Sequence, residues 1–159
     1  VIKSVCDKTS KFARENYKDK PVDIYCKPSE ELMNIPNFVK KYREHFDVVF
    51  FSPPYYRLEL YEGKNQSTSK YKTYEDWLHK YWEKTIQLCE YVLQPGGRLC
   101  YIVSGYGSDK TTNNLNLVED MNKITKKYFT YKRTLPMYNK NVHVTTHKET
   151  GEQIILFTK

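Results

Sequence analysis

The run Asp47-Val48-Val49-Phe50-Phe51 limits what this chain can become more than any other feature, because its four consecutive apolar residues leave no polar face. A half-solvated strand alternates apolar and polar residues, whereas an unbroken apolar run suits a strand covered on both sides, at the centre of a parallel sheet. The run stops at Ser52-Pro53-Pro54-Tyr55. Apolar runs alternate with helical patterns along the rest of the chain, which predicts an α/β domain with a mainly parallel sheet.

Val1 to Cys6 reads as a short strand ending at Asp7, followed by a helix from Thr9 to Tyr17. Val22 to Cys26 reads as a second strand, Ser29 to Leu32 as a turn or short helix, and Asn37 to His45 as a basic helical patch. Thr73 is placed to cap a helix reaching Leu93, with Trp77, Tyr81, Ile86, Leu88 and Val92 on its buried side. Gln94-Pro95-Gly96-Gly97 ends that helix, and Arg98 to Val103 follows as a strand. Leu115 to Tyr128 predicts a helix, and Tyr131 to Met137 with Gln153 to Thr158 predicts an antiparallel hairpin closing one sheet edge.

At 159 residues the chain predicts a single domain over residues 1–159. It contains no run approaching the roughly 20 apolar residues of a membrane span. With no secretory pattern at the N-terminus either, the expected location is intracellular, cytoplasm or nucleus. Cys6, Cys26, Cys89 and Cys100 form no C-x-x-C pair, so neither a zinc site nor a disulfide framework is expected. The net charge of +7 suits a polyanionic partner.

Ligands of open α/β sheets bind beyond the carboxyl ends of the strands, which is where the tetrapeptide falls. Its prolines stiffen the backbone and remove two amide donors, leaving the Ser52 hydroxyl and the Pro53 carbonyl as acceptors, with the Tyr55 ring beside them. A stiff turn carrying a packed tyrosine satisfies the same residues.

Phe46-Asp47-Val48-Val49-Phe50-Phe51-Ser52-Pro53-Pro54-Tyr55-Tyr56 resembles the catalytic motif of S-adenosylmethionine-dependent amino-methyltransferases of nucleic-acid bases, in which Asp, Asn or Ser precedes Pro-Pro and an aromatic. The likeness continues through Gln66-Ser67, Tyr74-Glu75-Asp76-Trp77, Leu93-Gln94-Pro95-Gly96-Gly97-Arg98-Leu99 and Tyr101-Ile102-Val103. It implies a Rossmann-like class I methyltransferase fold with a late antiparallel strand, and S-adenosyl-L-methionine as cofactor.

On that resemblance Ser52, Pro53, Pro54 and Tyr55 are catalytic. Ser52 and the Pro53 carbonyl hold the amino group of a flipped base, and Tyr55 stacks on it. Asp7 would hold the cofactor ribose, with Ser29, Phe51 and Ser52 lining the rest of the cofactor site. The family's glycine-rich cofactor loop has no counterpart among the six glycines, so the chain is expected to be a fragment, with that loop upstream of residue 1 or on a second polypeptide.

Basic and aromatic residues interleave from Tyr55 to Tyr74, including Tyr56, Arg57, Tyr61, Lys64, Lys70 and Lys72. That pattern suits phosphate pairing plus base stacking. Lys140 and Lys148 form a second basic candidate. Near them His143 and His147 lack a third ligand, so no metal is expected. Serine before Pro-Pro leans toward cytosine N4 over adenine N6 in DNA. An RNA base methyltransferase, including the guanine N2 cap type, and an inactive methyltransferase-like subunit that binds nucleic acid are the alternatives.

Overall fold

The computed structural model describes residues 2–56, 67–104, 115–137 and 152–159. The first element is a helix and not the expected strand. α1 runs Lys3–Asn16, and its apolar residues Val5 and Phe12, with Ile2 just before it, are widely exposed. The β-branched run misled because it is short. Lys3–Asp7 and Lys11–Glu15 pair at the four-residue spacing that a helix brings together, at 3.3 and 3.8 Å. Residues 21–26 form no strand, against the expectation for Val22 to Cys26: no ladder joins them to another strand among the described residues.

A tight 3₁₀ turn at Ser29–Asn34 leads into α2, Pro36–Tyr42, with proline in the first helical turn. β1 follows at Phe46–Phe51. After the short α3 (Ser67–Lys70), α4 (Tyr74–Trp77) continues through one π turn at Leu78–Trp82 into α5 (Glu83–Val92). Thr73 caps this composite helix as its sequence predicts, its hydroxyl accepting from the Asp76 amide at 3.1 Å. At the other end, Lys159 Nζ donates to the carbonyls of Glu90 and Leu93 at 2.7 and 2.8 Å, satisfying groups a helix terminus leaves open.

β2 (Leu93–Val103), α6 (Leu117–Thr125), β3 (Thr130–Pro136) and β4 (Gln153–Thr158) complete the described elements. The sheet order is β1-β2-β4-β3, with β1 parallel to β2 and β4 antiparallel to both of its neighbours. The C-terminal hairpin is therefore present, and its second strand inserts beside β2. Gly97 is required within β2, just before its regular pairing with β1 resumes at Arg98: a Cβ there would stand 2.8 Å from the Gln94 carbonyl and 2.9 Å from the Leu93 side chain.

One face of the sheet is well covered. Val49, Phe51, Leu99, Tyr101, Val103, Ile155 and Phe157 meet the α4–α5 helix and α6 around the fully buried Trp77, Trp82, Ile86 and Met121. Trp82 donates to the Met121 carbonyl at 3.0 Å and Tyr101 to Asn122 Oδ1 at 2.5 Å, so the polar atoms of these large rings are satisfied inside the core. β1 differs from the expectation of a central strand: it is an edge of the described sheet, and Val48 and Phe50 on its other face are exposed.

Candidate active site

The parallel pair β1–β2 aligns Phe51 with Tyr101, so Ser52 to Tyr55 and Ser104 leave the same carboxyl edge of the sheet. Ser52 is exposed, Pro53 buried and Pro54 half-buried, which anchors the turn by its prolines and leaves the serine facing outward. A hydroxyl in that position can accept a hydrogen bond from a ligand amino group without any change in the core.

The two tyrosines turn inward. Tyr55 is only 7% exposed and belongs to the main core cluster, so its ring is not displayed as the stacking platform the sequence suggested. Tyr56, expected on a nucleic-acid surface, is also buried. Its ring lies 5.2 Å from Tyr74 and 5.8 Å from Trp77, and its hydroxyl donates to the Lys72 carbonyl at 3.2 Å. The apolar surface of α4 supplies the physical reason: each ring gains more by joining the cluster around Trp77 than by facing water.

The residues matched to a cofactor site are not brought together as expected. Asp7 stands on an exposed helix face paired with Lys3 and not at a strand end, because the segment before it is helical. The Phe51 ring packs 6.0 Å from Trp82 on the covered face. Ser29 opens the 29–34 turn, but its hydroxyl shares a 2.9 Å hydrogen bond with Thr85 of α5. Ser52 alone of the four keeps an outward position at the strand end. The described residues thus fit S-adenosylmethionine only in part.

A cluster that the sequence did not reveal joins the Ser29–Asn34 turn to the end of α3. Lys70 is paired with Glu30 at 3.3 Å and closely with Glu31, while the Tyr71 hydroxyl donates to Glu30 at 3.2 Å. The Glu30 side chain is only 6% exposed. Hydrogen bonding to Lys70 holds the Glu31 carboxyl below its usual range, and the same contact raises the Lys70 amine. Lys70, expected to meet phosphate, is therefore already neutralised by two carboxylates. About forty residues of separation hide this cluster, since adjacent glutamates after Pro28 read only as the start of a turn. Lys72 is exposed; Arg57, Lys64, Lys140 and Lys148, with His143 and His147, lie outside the described residues. All four cysteines are free, and burial pushes the Cys89 thiol up to about 12. Among the described residues no helix is long and apolar enough to cross a membrane.

No protein-family model and no curated protein matches the chain. Solved structures do. TTHA0409 from Thermus thermophilus, a candidate DNA modification methylase, superposes with a TM-score of 0.55 at 18% identity over 83% of this chain and 52% of its own. Its complex with S-adenosyl-L-methionine superposes at 0.53 with 20% identity, over 77% of this chain and 52% of its own. The N-methyltransferase NodS from Bradyrhizobium japonicum, bound to S-adenosyl-L-homocysteine, gives 0.53 at 14% identity over 94% of this chain and 60% of its own. The [4+2]-cyclase SpnF gives 0.56 at 14% identity over 97% of this chain and 62% of its own. The chain spans about half the length of TTHA0409. At these identities the likeness establishes architecture, and the presence of a cyclase among the neighbours illustrates that this architecture serves more than one reaction. The sheet order, the inserted antiparallel strand and these superpositions together give the chain the Rossmann-like fold of the class I methyltransferases.

Proposed function

We propose that this chain is the catalytic half of an S-adenosylmethionine-dependent enzyme that methylates an exocyclic amino group of a DNA base, cytosine N4 ahead of adenine N6. The observation that carries this reading is the outward-facing Ser52 on a proline-anchored turn at the carboxyl end of β1, in a methyltransferase fold. The cofactor, when bound, supplies an activated methyl group; residues 1–159 provide only part of its site, and the remainder is assigned to polypeptide outside them.

A base amino nitrogen is a weak nucleophile because its lone pair is delocalised into the ring. Two acceptors change that. The Ser52 hydroxyl and the Pro53 carbonyl each take one N–H bond, drawing the nitrogen toward tetrahedral geometry and localising its lone pair. Pro53 and Pro54 hold the acceptors in place, so their orientation costs little when the base arrives. Tyr55, buried behind the turn, acts here as its support. The net positive charge suits a phosphate backbone.

Ser52→Ala in the full-length protein tests this. Loss of one preorganised acceptor is worth on the order of 3 kcal/mol, so turnover should fall about a hundredfold. DNA affinity should stay near parental, because the contact matters most in the transition state. Parental turnover would reduce the tetrapeptide to a stiff turn.

A further inference from the structure

Cys6 and Cys26 stand twenty positions apart, so no motif spacing announces them, yet the fold makes them neighbours. Cys6, Ser10 and Ala13 are the residues of α1 that are not exposed, and a helix places such i, i+4 and i+7 positions along one face. That face meets the returning chain. After a turn closed by the Lys20 amide on the Tyr17 carbonyl at 3.1 Å, Val22, Asp23 and Ile24 line one cleft with Ser10, Ala13 and Tyr17. From Ser10 back to Cys6 is about one helical turn, roughly 6 Å, and the two residues from Ile24 to Cys26 span about the same distance when extended. The two side chains meet there: hydrogen bonding with Cys26 is the first cause, ahead of burial, that holds the Cys6 thiol above its usual range.

Access separates this pair from the other two thiols. Cys26 is exposed and Cys6 half-buried, whereas Cys89 is buried in α5 and Cys100 lies inside β2 with a strand on each side. The two halves of the pair are also held differently. The segment bearing Cys26 rests on α2, with Asp23 bonded to Lys41 at 2.5 Å and the Tyr25 ring 5.1 Å from Phe38. Every position of α1 outside the Cys6 face is exposed.

We propose that Cys6 and Cys26 form a site of reversible oxidation that closes to a disulfide when it meets a small-molecule disulfide of the glutathione type. The exposed Cys26, as thiolate, attacks one sulfur of the small disulfide and releases the other as a thiolate. Cys6 then gives its proton to solvent and attacks the Cys26 sulfur, expelling the second small thiolate. One protein S–S bond forms and one small-molecule S–S bond breaks, and the two electrons lost by the protein thiols end on two small thiols. Cys6, which holds its proton more tightly than an ordinary thiol, is suited to the second step. The bridge ties α1 to the segment resting on α2, so oxidation sets how firmly the N-terminal helix is held. This site stands independently of the reaction assigned to Ser52.

Mass spectrometry of the protein equilibrated in glutathione buffers, acid-quenched and alkylated without reduction, tests it. Oxidising buffers should give Cys6 and Cys26 joined within one chain and lighter by two hydrogens, with Cys89 and Cys100 still alkylated, and reducing buffers should reverse this. Cys6→Ser should accumulate a glutathione adduct on Cys26, the trapped first step, while Cys26→Ser should slow modification of Cys6 at least about tenfold. Hydrogen exchange in α1 should slow roughly tenfold on oxidation of the parental protein and in neither variant. Thiols that stay reduced, separate glutathione adducts on Cys6 and Cys26 of the parental protein, or a bridge to Cys89, Cys100 or a second chain would overturn the proposal. A Cys6–Cys26 bridge that left exchange in α1 unchanged would overturn its role in holding the helix.

Discussion

The two ends of this chain use similar apolar content in opposite ways. From Tyr74 to the C-terminus, Trp77, Trp82, Leu99, Tyr101, Ile155 and Phe157 are fully buried, and the polar atoms of Trp82 and Tyr101 find partners inside the core. From Ile2 to Phe50, apolar residues of similar size line the surface, among them Val5, Phe12, Val22, Ile24, Val48 and Phe50. The difference is one of supply. β2 and β4 have a partner on each side and helices over one face, whereas α1 and residues 21–26 have apolar side chains with little to cover. Hydrophobicity alone does not make a core; the second surface must be there to receive it.

The largest effect should follow from breaking the covered half. Trp82→Ala removes a fully buried ring and should cost about 3–5 kcal/mol in urea unfolding, while Phe12→Ser on α1 should change stability by no more than about 0.5 kcal/mol. Comparable losses would show that α1 is packed as firmly as the helices over β2. Next in size is the cap: Thr73→Ala should cost about 1 kcal/mol, and Thr73→Ser should restore most of it. A neutral Thr73→Ala would place the start of the composite helix elsewhere.

A smaller, acid-dependent effect belongs to Glu83. The hydrogen bond from His79, joined by those from Lys127 and Tyr128, pulls its carboxyl down to about 2. Since the folded state holds this proton less tightly than the unfolded chain, Glu83 contributes stability above the ordinary carboxylate range near 4.5. That contribution is lost as pH falls toward about 2. Thermal unfolding between these limits should be less pH-dependent in Glu83→Gln, and identical slopes would refute the linkage. The smallest expected change is at Lys70, whose charge is already met by Glu30 and Glu31. Lys70→Ala should leave the salt dependence of DNA binding near parental, whereas loss of a true phosphate contact would remove about one unit of slope.

Much of the covered half is legible in the residues because its signals are local. Thr73 before a helical pattern, Pro95-Gly96-Gly97 after it and the apolar run before Pro-Pro each declare themselves within a few positions. The open half is not legible for the same reason. Val1 to Cys6 is too short for periodicity to separate strand from helix, and residues 21–26 read as a strand but have no described partner to pair with. At the site, Ser52 could be placed from its strand, but the inward turn of Tyr55 and Tyr56 depends on Trp77 and Tyr74, which the sequence does not bring near them. The Glu30–Lys70 pairing was hidden by separation. Asp7 lies in α1, because its segment is a helix and not the strand whose end the ribose expectation needs.

Cofactor binding sharpens the same contrast, because residues 1–159 hold Ser52 in place but leave the expected ribose contact at Asp7 on a helix face. Calorimetric titration of S-adenosylmethionine into the 159-residue chain should give heats near those of dilution. Adding the glycine-rich segment that the proposed function assigns to polypeptide outside these residues, in cis or in trans, should restore binding. Tight binding by the 159 residues would show that the described surface already contains the cofactor site.

The most direct measurement is the identity of the methylated atom. Full-length protein, DNA and S-adenosylmethionine carrying a deuterated methyl group are incubated together, the DNA is digested to nucleosides, and the label is located by mass spectrometry. Label on an exocyclic nitrogen, as 4-methylcytosine ahead of 6-methyladenine, and about a hundredfold less of it with Ser52→Ala, is the expected result. Label on a ring carbon, label confined to RNA, or equal yields from the parental and Ser52→Ala proteins would contradict it.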